Sequence, residues 1–109
     1  MTRIITKEYK IKPKANLYKA DLRGANLGCA DLVRADLVRA DLSEANFAGA
    51  NLKDANLGGA NLYGANLREA NLEGANLDEA YFGEANLEGM IIDDGTYDKD
   101  NNLRTYVLL

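Results

Sequence analysis

From Ala15 to Gly89 the chain repeats every five residues without a break, through fifteen consecutive blocks. Each block opens on alanine, fourteen place Asn or Asp second, and every one places leucine or phenylalanine third, while the fourth and fifth positions vary. A sixteenth, degenerate block follows as Met90-Ile91-Ile92-Asp93-Asp94. Five residues suit neither common secondary structure. On an α-helix they advance about 500°, so successive leucines drift about 140° around the axis and never line one stripe. On a flat strand an odd period sends alternate leucines to opposite faces. Both arrangements leave the leucines in water. The chain must instead bend once per block, so that every third-position side chain points to one axis and successive coils stack through the backbone about 4.8 Å apart.

The expected core is therefore a single file: Leu17, Leu22, Leu27, Leu32, Leu37, Leu42, Phe47, Leu52, Leu57, Leu62, Leu67, Leu72, Leu77, Phe82, Leu87 and Ile92. Alanine at the first position also faces inward, where only a small side chain fits between leucine layers. The polar second and variable fourth and fifth positions face out. Gly24, Gly49, Gly59, Gly64, Gly74 and Gly89 hold fifth positions, where a turn with positive φ favours glycine. Lys19, Arg34, Arg39, Glu44 and Glu69 hold the same slot. Two kinds of corner are expected, some type II and others tolerant of any side chain.

These blocks, ANLYK, ADLRG, ANLGC, ADLVR and their successors, resemble the pentapeptide-repeat family and its A-[DN]-L-X-X motif. The resemblance implies an all-β fold, a right-handed quadrilateral β-helix with four pentapeptides per coil and hence about four coils. Residues 1–14 are then an N-terminal cap strand, 15–94 the β-helix and 95–109 a C-terminal cap segment. In the cap strand, Ile4-Ile5 and the alternation at Tyr9 and Ile11 run to a stop at Pro13. Residues 103–109, which end in Val107-Leu108-Leu109, either fold back over the last coil or join two chains into a homodimer.

With four blocks per coil, residues twenty apart stack in columns. Asn26, Asn46, Asn66 and Asn86 form one ladder in which amide side chains can bond along the axis. Arg68 stacks with Glu88 and Lys53 with Glu73, while Asp21 over Asp41 is a like-charge pair, read as two solvated carboxylates.

An enzyme is not expected. The chain has no histidine, which removes the commonest general base and metal ligand. Ser43 and the single cysteine, Cys29, lack an adjacent base, and neither a glycine-rich phosphate loop nor a calcium-loop spacing occurs. Cys29 reads as a small residue filling a glycine-preferring corner. No catalytic, cofactor or metal residue is assigned. With no secretory leader and no membrane-length apolar run, the expected setting is the cytoplasm, without membrane contact.

The net charge of −4 argues against direct nucleic-acid binding. Its distribution is uneven: residues 1–14 carry +4, 15–54 carry −1, 55–94 carry −7 and 95–109 are neutral. The expected role is a protein-interaction or structural module. The candidate partner surface comprises Glu69, Glu73, Asp78, Glu79, Tyr63 and Tyr81, with Tyr18 a further aromatic on the outside. Tyr81-Phe82 breaks two rules of the repeat in one block. The family resemblance adds an alternative, since some members imitate duplex DNA and act on type II topoisomerases such as gyrase.

Overall fold

A computed structural model of the chain describes residues 8–96. Its backbone pairing has one step, twenty residues. Twelve parallel bridges link the second positions of blocks in successive coils, from Asn16 with Asp36 to Asn71 with Ile91. They fall into four columns, so the body has four sides and the coils comprise residues 15–34, 35–54, 55–74 and 75–94. Side one carries Asn16, Asp36, Asn56 and Asn76. Side two carries Asp21, Asp41, Asn61 and Tyr81. Side three carries Asn26, Asn46, Asn66 and Asn86, and side four Asp31, Asn51, Asn71 and Ile91.

Each regular block has five backbone N–H groups to satisfy, because none can be left dry without cost. The first-position N–H closes the preceding turn, as in Ala60 to Leu57 at 3.0 Å. The second-position N–H reaches the coil before, as in Asn56 to Ala35 at 2.9 Å. The third and fifth reach the coil after, as in Leu57 to Asn76 at 2.8 Å and Gly59 to Asp78 at 2.9 Å. The fourth has no backbone acceptor. In all fourteen Asx blocks it donates to the Oδ1 of its own second-position side chain, at 2.9–3.3 Å. That bond is why the repeat wants Asn or Asp, whose short side chain reaches a backbone N–H two residues on. Amide bonding along the axis is secondary: Asn46 Nδ2 donates to Asn26 Oδ1 at 3.3 Å and Asn76 Nδ2 to Asn56 Oδ1 at 3.1 Å.

The third-position file fills the interior. Leu17 to Leu77, with Phe47, are at most 6% exposed, and most first-position alanines lie between them. Each such leucine contributes on the order of 2 kcal/mol by burial. Phe82, Leu87 and Ile92 are only half-buried, because the fourth coil has no fifth beneath it among the described residues.

The corners depart from the sequence expectation of two turn types. All sixteen fifth-position residues from Lys14 to Gly89 have φ between 55° and 72°, ten of them not glycine. Positive φ at that residue alone, with the bond from the next N–H, defines a type II turn throughout. At five of the six glycine corners, Gly24 being the exception, a side chain of the coil above occupies the space. A Cβ at Gly49, Gly59, Gly64 or Gly89 would touch the side chain of Cys29, Arg39, Glu44 or Glu69 at 3.1–3.5 Å. At those corners glycine leaves room for the side chain overhead, whereas Arg39 keeps a side chain beneath Lys19 and Asp54 one beneath Arg34.

At the N-terminal end, residues 8–11 form no bridge; the expected cap strand is absent there, and Ile4-Ile5 lie outside the described residues. Coil register starts earlier than the sequence motif instead. Pro13 sits in a turn closed by Ala15 N–H to Lys12 C=O at 3.1 Å, and Lys14 N–H joins Val33 C=O at 2.8 Å. Proline fixes the φ that the first central residue of such a turn needs. Asp21 N–H, which has no preceding coil among the described residues, donates to the Tyr9 hydroxyl at 3.2 Å.

At the other end the corner slips by one residue, to Asp93–Thr96. Asp93 Oδ1 accepts from Gly74, Gly95 and Thr96 N–H groups at 2.9–3.0 Å, and the Thr96 hydroxyl donates to Leu72 C=O at 2.7 Å. A side chain thus takes over the ladder position that a fourth-position carbonyl holds elsewhere. The expected cap at 103–109 lies outside the described residues.

Two outcomes follow from these turns. Left-handed φ costs an L-residue about 1–2 kcal/mol, partly offset by the extra freedom glycine brings to the unfolded chain. Arg34→Gly is expected to raise the urea midpoint, and Arg34→Val, β-branched at the same φ, to lower it. The Gly74 N–H, with those of Gly95 and Thr96, holds the Asp93 carboxyl below its ordinary range. A depressed folded value means stability that is present above the unfolded pKa and lost as pH falls through the folded one. Thermal melts from about pH 5 down to pH 2 should show that loss, around and below the ordinary Asp value of about 3.9. Asp93→Asn keeps the acceptor but should flatten its share of the acid sensitivity.

Candidate functional site

The four-sided body divides the six candidate residues. Glu69 stands at the corner between sides three and four, and Glu73 on side four. Asp78 and Glu79 stand on side one and at its corner with side two, where Tyr63 and Tyr81 lie. The structure therefore brings Tyr63 and Tyr81 together on side two and Asp78 and Glu79 together at the edge of side one. Glu69 and Glu73 join neither.

On side two, the Tyr63 and Tyr81 rings stack with centroids 6.2 Å apart and planes 11° off parallel. They remain 42% and 57% exposed. The backbone is undisturbed beneath them: Tyr81 N–H meets Ala60 C=O at 2.9 Å, and Leu62 N–H meets Tyr81 C=O at 2.7 Å. Tyrosine at the second position cannot supply the short acceptor that asparagine does, so the Gly83 N–H loses its side-chain partner. The ring instead lies across Gly83. A Cβ there would stand 3.0 Å from Tyr81 Cε2 and closer still to the hydroxyl. Tyr81 and Gly83 are a matched pair, a large second position made possible by a bare fourth. Gly83 was not singled out by sequence. Its signal is glycine at the fourth position of the one regular block that lacks Asx.

Around the corner on side one, Gly58-Gly59 opens a shallow notch of about 290 Å³. Val38 and Arg39 line it from the coil above, Asp78 and Glu79 from the coil below, and Asn56 and Asn76 complete it. Asp78 Oδ1 is withdrawn from solvent with no hydrogen-bond partner. The double glycine at 58–59 was the visible signal for this feature, and the column arithmetic places Arg39 and Glu79 one coil away on either side.

Higher on side two, the stacked Asp21 and Asp41 do not stand as two solvated carboxylates. Arg23 bridges them, with Nε 2.9 Å from Asp21 Oδ1, Nη2 2.9 Å from Asp21 Oδ2 and Nε 3.8 Å from Asp41 Oδ2. Asp21 also raises the guanidinium's pKa further above its ordinary value. The group is half-exposed and contributes little stability. Arg68 meets Glu88 at 3.8 Å. Lys53 and Glu73 form no ion pair, although they share a column. Tyr18 carries the Lys19 ammonium 5.4 Å from its ring centre. Cys29 is exposed at its corner. Among the described residues, no three His, Cys, Asp or Glu side chains group as a metal site.

Comparison with known proteins agrees with this geometry. A family model for pentapeptide repeats matches residues 15–54 and 55–89, in eight copies. A pentapeptide repeat protein of Nostoc Pcc 7120 is 35% identical, with a TM-score of 0.71 over 85% of this chain and 81% of that one. One from the Arabidopsis thaliana thylakoid lumen is 36% identical, with a TM-score of 0.61 over 72% of this chain. This chain spans 58% of that protein's length. No curated protein matches.

The Tyr81–Gly83 pairing predicts a coupling. Gly83→Ala alone should lower stability by about 1 kcal/mol by forcing the ring off its seat, whereas in a Tyr81→Asn background it should be close to neutral. A double-mutant cycle by chemical denaturation measures the difference.

Proposed function

This chain belongs to the pentapeptide-repeat family and is a right-handed quadrilateral β-helix, and from that premise we propose that it acts as a non-enzymatic protein-interaction module. The observation that carries the reading is the exposed Tyr63–Tyr81 pair on a rigid side. Its rings are held at fixed spacing by an intact ladder, and the repeat's own rule is broken to hold them there. Exposed aromatics on a rigid support are the residue type in which binding energy concentrates. Sides built of stacked second and fourth positions offer a nearly flat, ordered surface, which suits docking of a folded or extended protein. A cytoplasmic setting forms part of the proposal.

The acidity of residues 55–94 supports the second reading, a DNA-like surface for a type II topoisomerase. Net −7 over two coils, about 10 Å, is comparable with the charge density of duplex DNA, about one per 1.7 Å. The acids are spread round all four sides and the first two coils carry only −1, so the imitation covers a few base pairs. It ranks second.

The test is affinity isolation of the tagged chain from its own cells, followed by reconstitution with the purified partner. A stoichiometric complex weakened by second- or fourth-position substitutions on one side is expected, with no inhibition of purified gyrase in a supercoiling assay. Gyrase inhibition abolished by Glu69→Lys, Glu73→Lys, Asp78→Lys and Glu79→Lys together would replace this reading with the second. Failure to reconstitute any complex would overturn both.

A further inference from the structure

Side one carries its charges in two blocks. Its upper half is bounded by Lys14 and Arg34 along the corner with side four, and by Lys19 and Arg39 along the corner with side two. All four are exposed, and among the described residues none forms an ion pair. Asp36 is the one carboxylate between them, and its Oδ1 accepts from the Val38 N–H at 3.0 Å. In the lower half the same two corners carry Asp54, Gly74, Gly59 and Glu79, with Asp78 between them and, among the described residues, no cation. The relief is bipolar as well. Tyr18, 49% exposed, and half-buried Val38 hold the upper fourth positions, while Gly58 leaves the notch of about 290 Å³ in the coil below. A face that is cationic and raised in one half, and anionic and recessed in the other, fits an inverted copy of itself.

We propose that side one is the contact face of an antiparallel homodimer, in which the basic half of each copy lies on the acidic half of the other. A two-fold axis parallel to the strands, level with the gap between coils two and three, makes every column face its own counterpart with the coil order reversed. Arg34 then faces Asp54 of the second copy, Lys19 faces Glu79 and Tyr18 faces Asp78, each contact made twice. Val38 meets the bare Gly58, so each notch receives the valine of the other copy. No charge meets its like. A two-fold axis along the rod would instead set Arg34 against Arg39 and Lys14 against Lys19, so the charges select the antiparallel form. Glu79 already has an interaction within its own chain, which leaves Arg34 and Asp54 as the pair that fixes the register. The face is four coils tall and at most five extended residues wide, about 300 Å² in projection. That is below the roughly 800 Å² per partner of a standard interface, so the dimer is weak and reversible. Both copies turn side two the same way, and the Tyr63–Tyr81 pairs stay outside the contact. Self-association through side one goes beyond the interaction-module reading and stands without it.

Sedimentation equilibrium of the full chain at about 0.15 M salt, where charges beyond about 8 Å are screened, should show a monomer–dimer equilibrium at high micromolar concentration. Arg34→Asp and Asp54→Arg each turn two attractions into two repulsions, and each should weaken the dimer about tenfold or more. Both corners already hold a charged residue at positive φ, 61° and 57°, so neither change alters the turn. Mixed in equal amounts, the two variants should form a heterodimer about as tight as the native dimer, because every opposed pair is again Arg against Asp. Amide shifts of the labelled chain in that mixture should fall on side one. Arg68→Glu, on side three, makes the same change in net charge as Arg34→Asp and should leave the native equilibrium unmoved. A native chain that stays monomeric, a dimer that survives either single variant, a mixture that stays monomeric, or equal weakening by Arg68→Glu would each overturn the proposal.

Discussion

The fourth backbone N–H of each block decides what this chain can be. Four of the five donors in a coil side find carbonyls, one within the turn and three in neighbouring coils, but the fourth faces a gap. Filling that gap takes an acceptor two residues back on a side chain no longer than that of Asn or Asp. Fourteen of fifteen regular blocks comply. With the donors satisfied, the coil can turn every five residues and still close its ladder, and the leucine file then has one place to go. The core follows from the hydrogen-bond accounting as much as from hydrophobicity.

That ordering explains what was legible in the sequence and what was not. The leucine file, the inward alanines and the twenty-residue columns could be read directly, because they are properties of a period. The corners could not. Glycine at a fifth position suggested two turn types, yet ten other residues adopt the same left-handed φ. The conformation is imposed by the ladder above and below, and at some corners glycine also leaves room for the neighbour overhead, as at Gly59 beneath Arg39. Such a signal exists only between residues twenty apart. Along the sequence it looks like noise.

The candidate site was half legible for the same reason. Tyr81 stands out as a break in the motif, and Tyr63 as an exposed aromatic, but their contact depends on columns, as does Gly83 beneath the Tyr81 ring. Grouping acids by sequence put Glu69 and Glu73 with Asp78 and Glu79, which the four-sided body separates. Asp21 and Asp41 show the opposite case: a repulsive column on paper is a bridge in the structure, because Arg23 at the adjoining fourth position reaches both.

Because the bridges advance by twenty residues, the body counts in quarter-turns. Duplication or loss of a single pentapeptide between residues 64 and 80 would leave every turn, every Asx cap and the core file chemically unchanged. It would also rotate all later blocks by one side and carry Tyr81 away from Tyr63 onto a different face. Gain of a whole coil would keep the faces aligned but move the rings one storey apart. In such a lineage, length is free to drift in units of twenty and surface identity in units of five. A surface spanning two coils can therefore be made or erased by an indel that the stability of the molecule hardly registers.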